Sequence, residues 1–514
     1  MTVEFPMISP IKRHMIDTKN LAKGLKQNDI YQWLLISGYY AESYVLPPCF
    51  YVEKTPSKAT KFFSVNRKSF KPDRTEIIEF HFPKSELSDR TFGIIDPYIH
   101  NDIAYHISRN WKKFVDKLLP SDSCVASYSF PLPISKRTPH RLGSLRSGRL
   151  IYEFIDMTDD DLASVAYRYT HIVTADIKRF YPSIYTHSIA WAIHGKSFIR
   201  RPKNLHNFDH VGNRLDKLFQ NANDGCTNGI PIGPVVSDLI GELIAAAVDR
   251  IFTKAIRTKG IDCEAVRFKD DYRILVKSES DGRTVIKLLQ ASLKEYSLEL
   301  SDEKTKIYSL PDGLFRNWVS RYHLVHPKKK RHFTWKQFRE LYLAVIDIDR
   351  SHPGTGVIDR FLADITKKDG ALKFDFFSRD LEKVISMLLM LGNLRIKAFP
   401  KIIAILETLL RSPFGVSHER KIIEYLDTYL QKLSEEEERN KYLITWIGYF
   451  FSSNGLIPRL SRTYKFKDPI PQSVFANRGL IYRSRKEFKI FVGCKSSSKR
   501  ITLMKHLDVF NPVN

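Results

Sequence analysis

Between about Tyr128 and Leu310, short apolar runs alternate with longer stretches whose apolar residues recur every three or four positions. This mixture of β-like and helical periods predicts an α+β unit. Within it, His171-Ile172-Val173-Thr174-Ala175-Asp176 reads as a buried strand that ends in an acid. Ala265 to Val276 reads as two strand-like runs meeting at Lys269-Asp270-Asp271, as at a hairpin tip. The stripe Val236, Ile240, Leu243, Ile244, Ala247 and Ile251 predicts a helix packed on that sheet, and a further helix is expected from about Arg283 to Tyr296.

After a basic, turn-rich passage at Pro327-Lys328-Lys329-Lys330-Arg331, the helical period takes over. Leu381, Val384, Ile385, Leu388 and Leu389 form one stripe, Ile402, Ile403, Leu406, Leu409 and Leu410 a second, and Ile422, Ile423, Leu426 and Leu430 a third. A fourth helix is expected to start at Ser434, with Glu437 closing a capping box, and to carry Leu443, Ile444, Ile447, Phe450 and Phe451. The chain thus divides into an N-terminal region over 1–125, an α+β unit over 126–325 and an all-α domain over 326–514. Stacked helices of this kind suggest a HEAT-like repeat, although no fixed-length sequence repeat is visible by eye. The first 125 residues show no clear period.

Composition narrows the partners. The 514-residue chain carries a formal net charge of +25, which favours polyanions such as nucleic acid or nucleotides. Its five cysteines lie apart without CxxC or Cys/His spacing, so neither a zinc site nor a disulfide framework is expected. The N-terminus lacks a signal-peptide pattern, and Tyr442 to Phe451, among the longest apolar stretches, is too short to span a bilayer. A soluble, cytoplasmic protein is expected.

Adjacent carboxylates repel, so the pair Asp270-Asp271 is costly unless a cation sits there. A lone Asp-Asp in a turn is usually solvated; the case for chemistry comes from its combination with Asp176. Nucleotidyl transfer uses two divalent ions about 4 Å apart to activate a hydroxyl and stabilise leaving pyrophosphate. Asp176 and Asp270 would be the shared ligands of two Mg²⁺ ions, with Mn²⁺ as an alternative. Asp271 would add charge, and the Ile177 carbonyl would complete the shell.

Four features in order resemble the successive palm motifs of reverse transcriptases. They are Asp176 with an aromatic five positions on, Gly229-Ile230-Pro231-Ile232-Gly233, Phe268-Lys269-Asp270-Asp271, and Leu298-Glu299-Leu300-Ser301-Asp302-Glu303-Lys304-Thr305-Lys306-Ile307. The resemblance implies a fingers and palm fold with Asp176, Asp270, Asp271 and Lys304 as catalytic residues, Lys304 protonating pyrophosphate. Tyr181 would be the steric gate that favours deoxynucleotides. Gly229, Pro231 and Gly233 would line the nucleotide, and Arg137 and Arg141, from the cluster Lys136, Arg137, Arg141, Arg146 and Arg149, would neutralise its triphosphate. Two residues depart from the retroelement pattern: Asn228 replaces the usual Gln, and Asp238 stands where Pro is common.

The passage Phe180 to Lys196 is similar to that of the Abi (abortive infection) polymerases that defend bacteria against phage, and a helical domain in place of a thumb agrees with that group. This resemblance implies template-independent DNA synthesis from dNTPs in the bacterial cytoplasm. The single-stranded DNA product would be covalently attached to a protein tyrosine in a trimer or hexamer, and Tyr39, Tyr40 and Tyr44 are the candidates for that attachment. The competing expectations are a template-dependent retroelement reverse transcriptase and a non-catalytic helical scaffold.

Overall fold

The computed structural model describes residues 8–83, 89–132, 148–326, 332–367 and 369–507, with the backbone alone at 83 and 148–154. Seven strands are named in chain order: β1 (Ile78–Pro83), β2 (Asp89–Ile94), β3 (Val125–Ser127), β4 (His171–Asp176), β5 (Cys263–Phe268), β6 (Asp271–Val276) and β7 (Lys306–Ser309). Strands β1 and β2 pair as an antiparallel ribbon. The other five form one sheet in the order β3-β5-β6-β4-β7, with β3 parallel to β5 and the remaining neighbours antiparallel.

Alternation along these strands divides their side chains between two cores. Ala265, Tyr272, Ile274, Val276, Val173 and Ala175 join Leu239, Leu243 and Val285 in one core, backed by the helices Val235–Lys259 and Glu279–Lys294. Val266, Leu275 and Ile172 point the other way, toward Tyr128, Leu162 and Ile11. Both faces are covered, which is why these strands read as nearly unbroken apolar runs.

The remainder is mostly helical, including Trp335–Ser351, Val357–Asp364, Leu381–Leu394, Phe399–Arg411, Glu419–Ser434 and Glu437–Ser453. All three predicted stripes are buried apart from Leu409, which is partly buried. One boundary differs from expectation. Ser434 ends the preceding helix, its hydroxyl donating to the Leu430 carbonyl. Glu437 instead accepts from the amides of Lys467 and Asp468. A capping box does occur, unforeseen, at Thr334 and Gln337.

The core of the helical part also takes in distant sequence: Tyr39 to Val52 and the ribbon residues Phe80, Phe82, Phe92 and Ile94. Polar bonds fix this segment. The Tyr442 hydroxyl donates to the Tyr44 carbonyl at 2.6 Å, the Val492 amide to the Cys49 carbonyl at 3.0 Å, and His506 Nε2 lies 3.0 Å from the Ser43 carbonyl. Among the described residues no helix is long and apolar enough to cross a membrane. The basic passage 327–331 lies outside the described residues.

Candidate active site

Asp176 is the last residue of β4, and its register partner on β6 is Asp271. Strands β5 and β6 pair from Phe268 with Asp271, so Lys269 and Asp270 alone form the turn. Cross-strand partners place their Cβ atoms about 5 Å apart. The sheet therefore carries Asp176, Asp270 and Asp271 at one edge, as adjoining strand ends. The backbone closes this arrangement: the Ile177 amide donates to the Asp270 carbonyl at 3.1 Å, and the Ser301 amide to the Asp176 carbonyl at 2.7 Å.

Two basic residues turn the chain here in the left-handed region, Arg179 at φ 47° and Lys269 at φ 55°. For a residue with a side chain this conformation costs about 1 kcal/mol, so something must hold it. At Lys269 that support is Arg267, which is buried and donates from Nη1 to the Lys269 carbonyl at 3.0 Å. Arg267 also forks onto Glu242 (2.8 and 3.0 Å) and bonds Asp249 at 3.0 Å, while Tyr272 donates to Asp249 at 2.7 Å. The sequence reading passed over this network, although its signal is visible. Arg267 shares the helix-facing side of β5 with Ala265, and Glu242 and Asp249 stand seven apart, two turns on one face of the helix that packs there.

The acids feel one another. Burial, then the Asp176 charge, raises Asp270 above the usual carboxylate range. Asp271 is raised to about 8 by burial, then by Asp270 and by the hydrogen bond to Asp176. The residue itself is exposed at the strand end. Lys304 Nζ donates to Asp176 at 2.8 Å. Burial opposes the lysine's charge, and this bond outweighs it and raises its pKa.

The hard carboxylate oxygens of the three acids, offset in part by the ammonium groups of Lys269 and Lys304, suit a divalent cation. Among the described residues no group of three or more His, Cys, Asp or Glu is already gathered in a cation-binding geometry. The acids are neighbours rather than a closed ligand shell.

Tyr181 lies beside this edge. Its ring approaches Gly241, where an added Cβ would meet Tyr181 Cε1 at 3.4 Å and Phe180 Cε1 at 3.1 Å. Its hydroxyl donates to Asp238 Oδ1 at 2.6 Å, and Lys269 Nζ lies 3.9 Å from the same oxygen. Asp238, the departure from the retroelement pattern, thus joins the tyrosine to the Lys269-Asp270 turn. Gly229 (φ 82°) and Gly233 (φ 126°) adopt conformations that other residues avoid. Around them the Ile230 amide donates to the Tyr181 carbonyl at 3.1 Å, and Pro231 packs against Gly93. Arg137 and Arg141, with Lys136 and Arg146, lie outside the described residues, as does the side chain of Arg149.

The three tyrosines separate. Tyr39 and Tyr40 are buried, and their hydroxyls donate to the Ile95 and Ile490 carbonyls at 2.6 and 2.5 Å. Burial raises both well above the usual tyrosine value. Tyr44 is also buried, with Lys397 Nζ 4.3 Å from its ring centre. Glu42, two residues earlier, lies 3.7 Å from Lys269 Nζ.

Residues 130–341 match the reverse transcriptase (RNA-dependent DNA polymerase) family. No curated protein matches the sequence. Among solved structures, apo telomerase from Candida tropicalis is similar at 12% identity and TM-score 0.33, over 74% of this chain and 70% of that one. Telomerase from Candida albicans, in complex with a TWJ fragment of telomeric RNA, is similar at 9% identity and TM-score 0.29, over 76% of this chain and 68% of that one. Polymerases of the reverse-transcriptase type use divalent metal ions. Residues 130–341, which hold all three strand-end acids, are thus a reverse-transcriptase domain, and the protein that carries it is a nucleotidyltransferase of that type.

Proposed function

We propose that the protein is an antiphage polymerase of the abortive-infection type, acting in the bacterial cytoplasm. It builds single-stranded DNA from dNTPs without a template and primes on its own Tyr44. The observation that carries this reading is the placement of the Tyr44 segment: Glu42 lies 3.7 Å from Lys269 Nζ, in the turn that carries Asp270, and Lys397 Nζ stands over the Tyr44 ring. The Tyr39 and Tyr40 hydroxyls are engaged by the Ile95 and Ile490 carbonyls.

In each step a hydroxyl, first of Tyr44 and then of the growing strand, gives up its proton to water, and its oxygen bonds to the α-phosphorus of a dNTP. The bond from that phosphorus to the bridging oxygen breaks, and pyrophosphate leaves with the electron pair, taking a proton from Lys304. Asp176 and Asp270, with Asp271 and the Ile177 carbonyl, would hold two Mg²⁺ ions, which would supply Lewis-acid stabilisation of the transferring phosphoryl group. Tyr181 would exclude the ribose 2′-hydroxyl. A trimer or hexamer and a HEAT-like helical stack complete the proposal. The stack is supported by helix starts at Trp335, Leu381 and Glu419, intervals of 46 and 38 residues, near the period of about 40–47 for such repeats.

The test is incubation of the purified protein with Mg²⁺ and labelled dNTPs, without template or primer, followed by denaturing gels before and after protease. Label that stays with protein until protease frees it, and that is lost in Tyr44→Phe and in Asp270→Ala, is expected. The family match favours a second reading, RNA-directed synthesis. Synthesis only with added template and primer would establish that reading instead, and unchanged synthesis in Asp270→Ala would remove the catalytic assignment altogether.

A further inference from the structure

A cleft of about 640 Å³ lies between the helices His187–His194 and Val211–Ala222, apart from the strand-end acids. Its size suits a bound nucleotide unit. Tyr185, Trp191 and Phe208 line it, with Lys196, Arg200 and Lys217 among them. None of the three aromatic rings is fully buried, so an apolar, stackable surface faces water in the company of cations. Tyr185 and Trp191 pack edge to face at 5.7 Å, and Lys196 Nζ stands 5.0 Å from the Trp191 ring centre while donating to the Glu295 carbonyl at 2.8 Å. The floor is built rather than incidental: His187 Nδ1 and Asp216 Oδ2 are 2.5 Å apart, and Gln220 donates to the other Asp216 oxygen at 2.7 Å.

Arg200 and Lys217 form no ion pair among the described residues, and the adjoining Arg201 and Lys203, both exposed, form none either. The cleft also continues the chain that leaves the active site: Tyr185 bridges Asn228, and the Gly229 amide donates to the Ile184 carbonyl at 2.8 Å. Aromatic faces flanked by unpaired cations are what a strand with unpaired bases requires, the bases stacking and the phosphates meeting the charges.

From this juxtaposition we infer that the cleft is a binding site for single-stranded DNA, with bases stacked against Trp191 and Tyr185, one to each ring, and the neighbouring phosphates on Arg200 and Lys217. This goes beyond the polymerase reading, and it is measured without synthesis. The Asp270→Ala protein, with no nucleotide present, is titrated against a fluorescent 12-nucleotide oligothymidylate, and anisotropy is followed over a range of salt. Adding Arg200→Glu and Lys217→Glu, both outside the catalytic machinery, should weaken binding at least about tenfold and flatten the log K against log salt slope by about 1.4, the loss of two single-strand phosphate contacts. Trp191→Phe, which keeps a ring, should bind more tightly than Trp191→Leu.

A matched pair of reversals on the helical part, Lys336→Glu and Arg339→Glu, should leave affinity within about twofold. Equal weakening by that control, or no weakening by the cleft reversals, overturns the site. Equal affinity for dTMP and the 12-mer overturns its assignment to a strand. Failure of template-free synthesis in active protein would count against the priming proposal and leave this result standing.

Discussion

Replacing Arg267 with Met should destabilise the protein in a way that depends on pH. The side chain is about 1% exposed and bonds Glu242, Asp249 and the Lys269 carbonyl. Methionine fills much of the volume but leaves two carboxylates, themselves 5% and 2% exposed, side by side without a counter-charge. Breaking a buried pair costs about 3–5 kcal/mol. The acids can limit that cost by taking protons: at pH 7, neutralising a carboxyl of ordinary pKa near 4 costs about 4 kcal/mol, and at pH 5 only about 1.4. The deficit relative to wild type should therefore be about 3–5 kcal/mol at pH 7 and smaller by roughly 2–3 kcal/mol at pH 5. Urea unfolding followed by tryptophan fluorescence, in both proteins at both pH values, measures it. A deficit that is the same at pH 5 and pH 7 would point to a packing loss and refute the electrostatic account. Because Arg267 also holds the Lys269 carbonyl, activity should fall in the variant even where it remains folded.

Other changes test other links. Tyr181→Ala should admit ribonucleotides into product, whereas Tyr181→Phe should keep discrimination and lose only the Asp238 bond; ribonucleotide incorporation in both variants alike would deny the gate. Gly448→Ala would drive a Cβ into the Phe475 ring, an overpacking expected to cost about 1–3 kcal/mol and visible as a lower melting temperature. Burial lowers His506 to about 4, so its unfolded form takes up protons that the folded form refuses, and stability present above about pH 6.5 is lost as pH falls toward 4. His506→Gln should remove about 1 kcal/mol of the destabilisation between pH 7 and 5.5; an identical pH dependence of unfolding would contradict this.

The sequence reading succeeded where local pattern and tertiary context agree. Strands β4, β5 and β6 are buried on both faces, so they appear as apolar runs, and the acids stand at their ends because a strand end is where a charge can reach water. The buried stripes of the C-terminal helices were legible for a similar reason. Ser434 misled because its spacing to Glu437 satisfies a local rule, while the Leu430 carbonyl and the amides of Lys467 and Asp468 offered better partners. Residues 39–52 had no readable period because their partners are distant in sequence, from the ribbon some 40–50 positions on to Tyr442 and Ile490 about 400–450 positions on. Arg267 was overlooked since a charged residue in a strand is ordinarily assigned to solvent, and Asp238 stood out only as a departure whose partner, Tyr181, folding alone supplies.

The clasp on residues 39–52 bears on how the chain is made. Tyr40 bonds a carbonyl 450 positions later, and Tyr442 reaches back 398 positions to Tyr44. At a synthesis rate of about 5–20 residues per second, the segment waits roughly 20–90 s for its far partners to leave the ribosome. During that interval its tyrosines, Val45, Leu46 and Phe50 have no native cover from that quarter. A chain stopped short of the late helices would retain this apolar surface permanently, so nonsense truncations should appear as aggregates and chaperone clients rather than as shortened enzymes.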